Sequence, residues 1–309
     1  MKDNNDLCQN LEIKTRCKYH KTRIACSVVL KDGRFSTSSD SKIIICNNKT
    51  FKIDLIINEN YFIYCLLQLS SGKLASSLDK GIIKIYNIKD KIYEVLQTLK
   101  YHKSKIYKII ELSNKQLVSC SNDHFIIFIY SKTNNNKYIK DYPINVYHEC
   151  HCITQTKENE ISFYAGSCCI QFYDLLKKKI INKIDILGWV GNITMITKDL
   201  LLLFMFSIIS IINVNHHKCV RRIYLSDFGY ITGYCKLNKN NILIGGYDRL
   251  KQLRIEGDDL KIISETKNIE IYNLLNLGNG HILLSPFSYN NGDITIYYLK
   301  NYFEMKNSV

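Results

Sequence analysis

The densest group of metal-ligating residue types is the segment His148-Glu-Cys-His-Cys152, followed by Cys168 and Cys169. Thiolates and imidazoles are the usual zinc ligands, but structural zinc sites are typically built on C-x-x-C or similar spacings. Cys150, Cys152, Cys168 and Cys169 do not form such a pair. Because free cysteine also serves as a small apolar core residue, we favour buried packing and predict no metal and no cofactor.

Histidine and aspartate recur at a fixed distance along the chain and form a second candidate for chemistry. His20 lies 20 residues before Asp40, and His102 lies 21 residues before Asp123. A carboxylate can orient an imidazole for proton transfer in a catalytic dyad, and the same pair can instead satisfy buried polar groups. Since a catalytic group has no reason to repeat, we favour the structural role.

The short motifs of common catalytic and nucleotide-binding sites are absent from the sequence. Neither G-x-G-x-x-G nor G-x-x-x-x-G-K-[ST] occurs, so no phosphate-binding glycine loop is indicated. A G-x-S-x-G nucleophile motif is absent as well. The sequence therefore predicts that the protein is not an enzyme.

A repeat positions these residues. Each copy contains an apolar segment, a polar turn, a segment with small residues, a tight turn and a third apolar segment. The tight turns fall at Asp40, Lys80, Asp123, Ser167, Ser207, Asp248 and Asn291. Their spacing of about 40 to 44 residues is typical of four-stranded propeller blades.

Segments such as Leu74-Ala-Ser-Ser-Leu-Asp-Lys-Gly-Ile-Ile-Lys-Ile-Tyr-Asn87 resemble WD40 repeats. The resemblance implies an all-β fold, a single seven-bladed WD40-type β-propeller over residues 11–300, with tails at 1–10 and 301–309. No Trp-Asp pair occurs, and Cys46, Tyr86 and Tyr173 stand where the family usually has tryptophan.

The same resemblance implies a role for the recurring histidines and aspartates. In the family, a histidine of the preceding loop bonds the aspartate of the tight turn. Carried over to this chain, His20 would bond Asp40 and His102 would bond Asp123. Asp79 and Asp248 would occupy the same kind of turn in two other blades.

The last copy of the repeat stops after its third strand, close to Leu299, and lacks a fourth. The N-terminal segment 11–17 precedes His20 as a fourth strand precedes the other histidines. Pairing the first and last strands removes an exposed sheet edge. We therefore predict that residues 11–17 complete the last blade and close the ring.

In this family, partner peptides usually dock on the loop-lined mouth of the ring. Trp189 lies in such a loop and could be an exposed anchor or a plug between blades. The same face should carry seven further residues: Lys21, Arg23, Lys80, Lys103, Lys105, His124 and Arg249. A basic mouth suits an acidic or phosphorylated peptide. We expect a protein-interaction scaffold or recognition module, a monomeric propeller within a larger complex.

The net charge of +14 permits another function. The basic excess is nearly all lysine, whereas phosphate and base recognition favours arginine, so nucleic acid is disfavoured. We favour compositional drift in an AT-rich genome as the explanation of the lysine excess. A selected anion-binding surface is the alternative explanation. Val220-Arg-Arg-Ile223 keeps only the arginines of the Phe-Arg-Arg-Gly segment of phosphoinositide-binding propellers. Phosphoinositide or anionic-surface binding is therefore the alternative function.

The sequence has no apolar N-terminal segment, and its longest apolar run extends from Leu200 to Val214. That run is shorter than the roughly 20 residues of a membrane helix. We expect membrane contact to be peripheral at most. The twelve cysteines are expected to be reduced, in the cytoplasm or the nucleus.

Overall fold

The computed structural model describes residues 11–123, 126–146, 148–166, 168–186, 188–286 and 292–299. Within these ranges the only helical element is one 3₁₀ turn, Asp79–Gly81, and the other regular elements are β-strands. The predicted all-β fold is confirmed. The predicted tails 1–10 and 301–309 lie outside the described residues, as does His124.

Twenty-eight strands form seven antiparallel sheets of four strands each. Blade 1 contains β2 (Cys26–Val29), β3 (Phe35–Ser39), β4 (Lys42–Cys46) and β5 (Ile53–Asn58). Blade 2 contains β6 (Ile63–Gln68), β7 (Leu74–Leu78), β8 (Ile82–Lys89) and β9 (Ile92–Lys100). Blade 3 contains β10 (Ile106–Glu111), β11 (Leu117–Ser121), β12 (Ile126–Lys132) and β13 (Tyr138–Asn145).

The later blades have the same construction, although their repeats are less regular in sequence. Blade 4 contains β14 (Cys152–Lys157), β15 (Glu160–Tyr164), β16 (Cys169–Asp174) and β17 (Lys179–Asp185). Blade 5 contains β18 (Asn192–Met195), β19 (Leu200–Phe204), β20 (Ile208–Asn213) and β21 (Lys218–Tyr224). Blade 6 contains β22 (Gly233–Lys236), β23 (Asn241–Gly245), β24 (Arg249–Glu256) and β25 (Asp259–Lys267).

Blade 7 joins the two ends of the chain. It contains β26 (Asn273–Gly278), β27 (His281–Ser285), β28 (Gly292–Leu299) and, as its outermost strand, β1 (Leu11–His20). Strand β1 pairs antiparallel with β28 from Leu11 opposite Leu299 to His20 opposite Gly292. The predicted ring closure is confirmed, and the closing strand extends three residues beyond the predicted end. The chain is a seven-bladed β-propeller.

The apolar core lies between the blades. Each of the seven clusters found among the described residues joins two adjacent blades. One of them packs Ile44 of blade 1 against Ile294 of blade 7, across the closure. Because each sheet is apolar on both faces, a blade cannot bury its surface alone and needs both neighbours.

One end of the ring is formed by the loops that lead from the outer strand of one blade to the inner strand of the next. The tight turns between second and third strands lie at the same end, which we call the loop face. The two sets of segments pack so closely that a side chain at Gly81, in a tight turn, would overlap the backbone carbonyl of His102 in the next loop. Most of the predicted site residues lie on this face.

Candidate functional site

A buried polar network spans the second and third strands of blade 3. His102 Nδ1 lies 2.7 Å from Asp123 Oδ1, and its Nε2 lies 2.7 Å from Ser119 Oγ. The Ser119 hydroxyl is in turn 3.0 Å from the Tyr130 hydroxyl. All four side chains are buried, so the network links polar groups inside the blade.

Asp123 is held in its ionised form by this network. Burial by itself raises the pKa of Asp123, but the hydrogen bonds from His102 and from the Lys103 backbone amide lower it to about 2. Charge-assisted hydrogen bonds of this kind are stronger than neutral ones. The carboxylate therefore fixes the tight turn of blade 3 to the loop that carries His102.

In blade 1, the expected bond between His20 and Asp40 is replaced by two others. His20 Nε2 lies 3.0 Å from Thr37 Oγ1, whereas Asp40 Oδ2 accepts a 2.6 Å hydrogen bond from the Thr22 hydroxyl. Asp40 has a left-handed φ of 47° and is exposed, so its carboxylate meets the loop hydroxyl. Burial lowers the pKa of His20 to about 4, which leaves the ring neutral at pH 7.

The other two turn aspartates have local partners. Asp79 Oδ1 accepts a hydrogen bond of 3.0 Å from the Lys80 backbone amide. Asp248 Oδ1 lies 3.3 Å from Arg249 Nε. Of the four turn aspartates, Asp123 is the one that bonds a histidine in the described part of the chain.

Glu59 is a buried residue that sequence analysis missed. It occupies the loop position of His20 and His102, 20 residues before Asp79. The Tyr86 hydroxyl donates a 2.8 Å hydrogen bond to Glu59 Oε1, and Lys84 Nζ lies 2.6 Å from Oε2. The repeat spacing was the signal that could have found it, because a carboxylate here replaces the imidazole.

The cysteines of the candidate zinc segment are dispersed. Cys150, Cys152 and Cys169 are buried, whereas Cys168 is exposed in a left-handed turn before β16 begins. Burial raises the pKa of the Cys150 thiol well above its usual range, so it is protonated at pH 7. The described residues contain no group of three or more His, Cys, Asp or Glu side chains placed to hold a metal ion.

Aromatic rings form a continuous row at the mouth of the ring, across blades 2 to 5. We call this row the mouth band: Phe62, Tyr64, Tyr107, His151 and Trp189. Successive ring centroids are 4.9, 6.2, 4.5 and 6.2 Å apart. Trp189 is 52% exposed. Its exposure favours the anchor over the plug, the two roles that the sequence left open.

A second aromatic group continues along the loop face in blades 5 and 6. The Phe206 and Tyr230 rings lie 4.4 Å apart, and Tyr230 and Tyr247 lie 6.1 Å apart. All three side chains are exposed. Sequence analysis did not bring these residues together, because they lie in different loops and turns.

Several predicted basic residues lie on the same loop face. The Arg23 guanidinium lies 3.8 Å from the Tyr272 ring centroid, and Lys105 Nζ lies 5.0 Å from that of Tyr107. Lys21, Lys80 and Lys103 are exposed. Arg249 differs from the rest because its Nη1 lies 2.7 Å from Glu265 Oε1, so its charge is already balanced within blade 6.

The Arg221-Arg222 pair lies away from the mouth, on the outer strand β21 of blade 5. Neighbouring residues of a strand point to opposite faces, so the two guanidinium groups do not form one cradle. Arg221 also lies 3.4 Å from Asp259 Oδ2 of blade 6. Each of these features disfavours a shared phosphate site.

Comparison with models of known protein families gives no match to this chain, and curated protein sequences give none either. Among the described residues, no helix is long and apolar enough to cross a membrane. What can be said of function therefore comes from the surface of the propeller itself.

Proposed function

We propose that this chain is a non-enzymatic protein-interaction module of the WD40 type, which binds a protein or peptide partner on its loop face. The observation that supports this proposal is the mouth band with its exposed Trp189. Large exposed aromatic patches on soluble proteins mark interaction sites. Propellers commonly serve as rigid platforms for such contacts.

The chemistry of the patch fits a binding hot spot. Tryptophan, tyrosine and arginine are enriched among the residues that contribute most to binding free energy. Trp189, Tyr107 and Arg23 stand on loops or strand ends fixed by the blades, so little ordering is needed on binding. Because the entropic cost of ordering these residues is small, the rigid propeller is well suited to be a recognition surface.

The charge of the mouth favours an acidic or phosphorylated partner. Lys21, Lys80 and Lys103 are exposed there, and cations at an interface steer an anionic partner towards it. Eleven free cysteines in the described residues support a reducing location such as the cytoplasm or nucleus. We propose that the propeller works there as one component of a larger complex.

Partner capture with a Trp189→Ala variant tests the proposal. We expect at least one specific partner of the unmodified protein to be lost by the variant, because truncating an aromatic anchor typically costs about 2 kcal/mol of binding free energy or more. The melting temperature should be almost unchanged, since the indole is half exposed. Binding is then measured with the purified partner.

Leu176→Ala is the matched control. Leu176 is 74% exposed on a turn between the third and fourth strands of blade 4, at the opposite end of the ring. This variant removes an exposed apolar side chain without touching the loop face. Loss of the same partner by both variants, or retention by Trp189→Ala, would contradict the proposal.

A further inference from the structure

The central channel is lined by the innermost strands of the blades. From the mouth inward it contains an open cavity of about 660 Å³, a size that holds small molecules in other proteins. Among the described residues that line it there is no aspartate or glutamate, whereas Lys108 and Lys236 are both present. The described lining therefore carries positive charge and no carboxylate.

The Lys108 side chain lines the channel. Its charge interacts with Cys26 of blade 1, Cys65 of blade 2 and Tyr234 of blade 6, so groups on several sides of the ring surround it. The ion pairs of the described residues do not involve Lys108. Burial raises the pKa of the Cys26 and Cys65 thiols, so they are neutral at pH 7 and do not compensate it.

Two asparagines stand at the same level of the channel as Lys108. Asn192 and Asn273 pair with the last residue of the second strand of their blade, and Lys108 pairs with the residue before the last, so all three lie near the loop face. Asn192 Oδ1 accepts a 2.9 Å hydrogen bond from the Ile193 amide, and Asn273 Oδ1 accepts one from the Ser27 hydroxyl. Both carbonyl oxygens are thus engaged, and within the described part of the chain neither amide NH₂ group has a hydrogen-bond acceptor.

Blades 3, 5 and 7 therefore bring an ammonium and two amide donors to one level of the channel. A partly buried cation without a counter-charge is costly, and hydrogen bonds from a cation to an anion are about twice as strong as neutral ones. An anion bound at this level of the channel would offer acceptors to these donors. A carboxylate, which would compete with the anion for these donors, is absent from the described lining residues.

We propose that the central channel binds a small molecule through an oxyanion, a phosphate or carboxylate group, held by Lys108, Asn192 and Asn273. This proposal does not rest on the proposed partner binding, although Tyr64, Tyr107 and Trp189 of the mouth band line the same cavity. Tyr64 and Tyr107 at the channel entrance provide an aromatic surface that the remainder of the ligand can contact.

Isothermal titration of the full chain with inorganic phosphate and, separately, with acetate tests this site. Ionic strength is held constant with chloride. We expect saturable binding of one of these anions, with a Kd at least about ten-fold weaker in Lys108→Met, because one charge-assisted hydrogen bond is lost. The preferred anion identifies which oxyanion the channel selects.

Lys91→Met is the matched control, because Lys91 is an exposed lysine on the turn after β8 and its loss changes the net charge equally. This variant should bind as the unmodified protein does. Equal affinity in Lys108→Met, or no binding of either anion by the unmodified protein, would overturn the proposal. Asn192→Ala provides the same comparison should Lys108→Met fail to fold.

Discussion

At the scale of single residues, the blades use different side chains to tie a loop to a strand. Blade 3 uses His102, bonded to Asp123 and Ser119. Blade 1 uses His20, bonded to Thr37 alone, and blade 2 uses Glu59. The same loop position is used in each of these blades, but the type of side chain differs. A search for one residue type therefore finds only some of the repeats.

Replacing Asp123 tests whether the blade 3 network stabilises the fold. We expect Asp123→Ala to lower the free energy of unfolding by about 2 to 3 kcal/mol, because it leaves the buried His102 and the Lys103 amide without their acceptor. Asp40→Ala is the control, since Asp40 is exposed and accepts one bond from Thr22; its loss should cost less than about 1 kcal/mol. Urea titration measures both, and equal losses would contradict the role of Asp123.

The low pKa of His20 predicts a pH dependence of stability. Burial lowers the pKa to about 4, whereas an unfolded histidine titrates near about 6.5. Between these values the unfolded chain binds a proton that the folded chain does not, so stability is complete above the unfolded pKa and falls as the pH drops towards 4. The loss should reach about 3 kcal/mol.

His20→Gln should flatten this dependence, and unfolding of both proteins between pH 7 and pH 4 measures it. His216→Gln is the control, because His216 is exposed in a turn and should leave the slope unchanged. An identical slope in His20→Gln and the unmodified protein would mean that the acid sensitivity comes from other groups.

At the scale of elements, the repeat made the strands predictable from sequence. A tight turn every 40 to 44 residues fixes the positions of β3, β7 and β11 and their partners, because the spacing reflects four strands of nearly constant length. The mouth band was not predicted, since Tyr64, Tyr107 and His151 are each about 43 residues apart. They meet only because equivalent positions of successive blades lie side by side around the ring.

Polar contacts were less predictable than strands. The backbone of each turn is set by strand geometry, but the partner of its side chain depends on which neighbouring group lies within hydrogen-bond distance. Asp40 and Asp123 have similar places in the repeat, yet one meets Thr22 and the other meets His102. Sequence spacing places such groups near each other and does not choose between neighbouring partners.

Removing strand β1 tests the closure of the ring. Deleting residues 1–18 should lower the melting temperature by at least about 10 °C, because it opens an edge of β28 and exposes apolar surface between blades 7 and 1. Deleting residues 1–10 is the control, since it shortens the same terminus and keeps β1. Equal melting temperatures for the two truncations would refute the closing role of β1.

At the scale of the whole molecule, the charge of +14 is spread over a surface rich in lysine. Exposed lysines occur on both ends of the ring, including Lys21 on the loop face and Lys91 on the opposite end. Such a distribution attracts any anionic surface at low ionic strength, because the Debye length is then long. This distribution of charge neither orients the protein on an anionic surface nor selects one lipid headgroup.

Co-sedimentation with vesicles of phosphatidylcholine and phosphatidylserine, with and without added phosphoinositide, separates this general attraction from a lipid site. We expect binding at about 20 mM salt that is lost by about 150 mM, where the Debye length falls to about 8 Å. Arg221→Glu/Arg222→Glu should weaken it no more than Lys89→Glu/Lys91→Glu, because both double variants change the net charge equally. Phosphoinositide-dependent binding that persists at 150 mM and is abolished only by the arginine variant would instead establish β21 as a headgroup site.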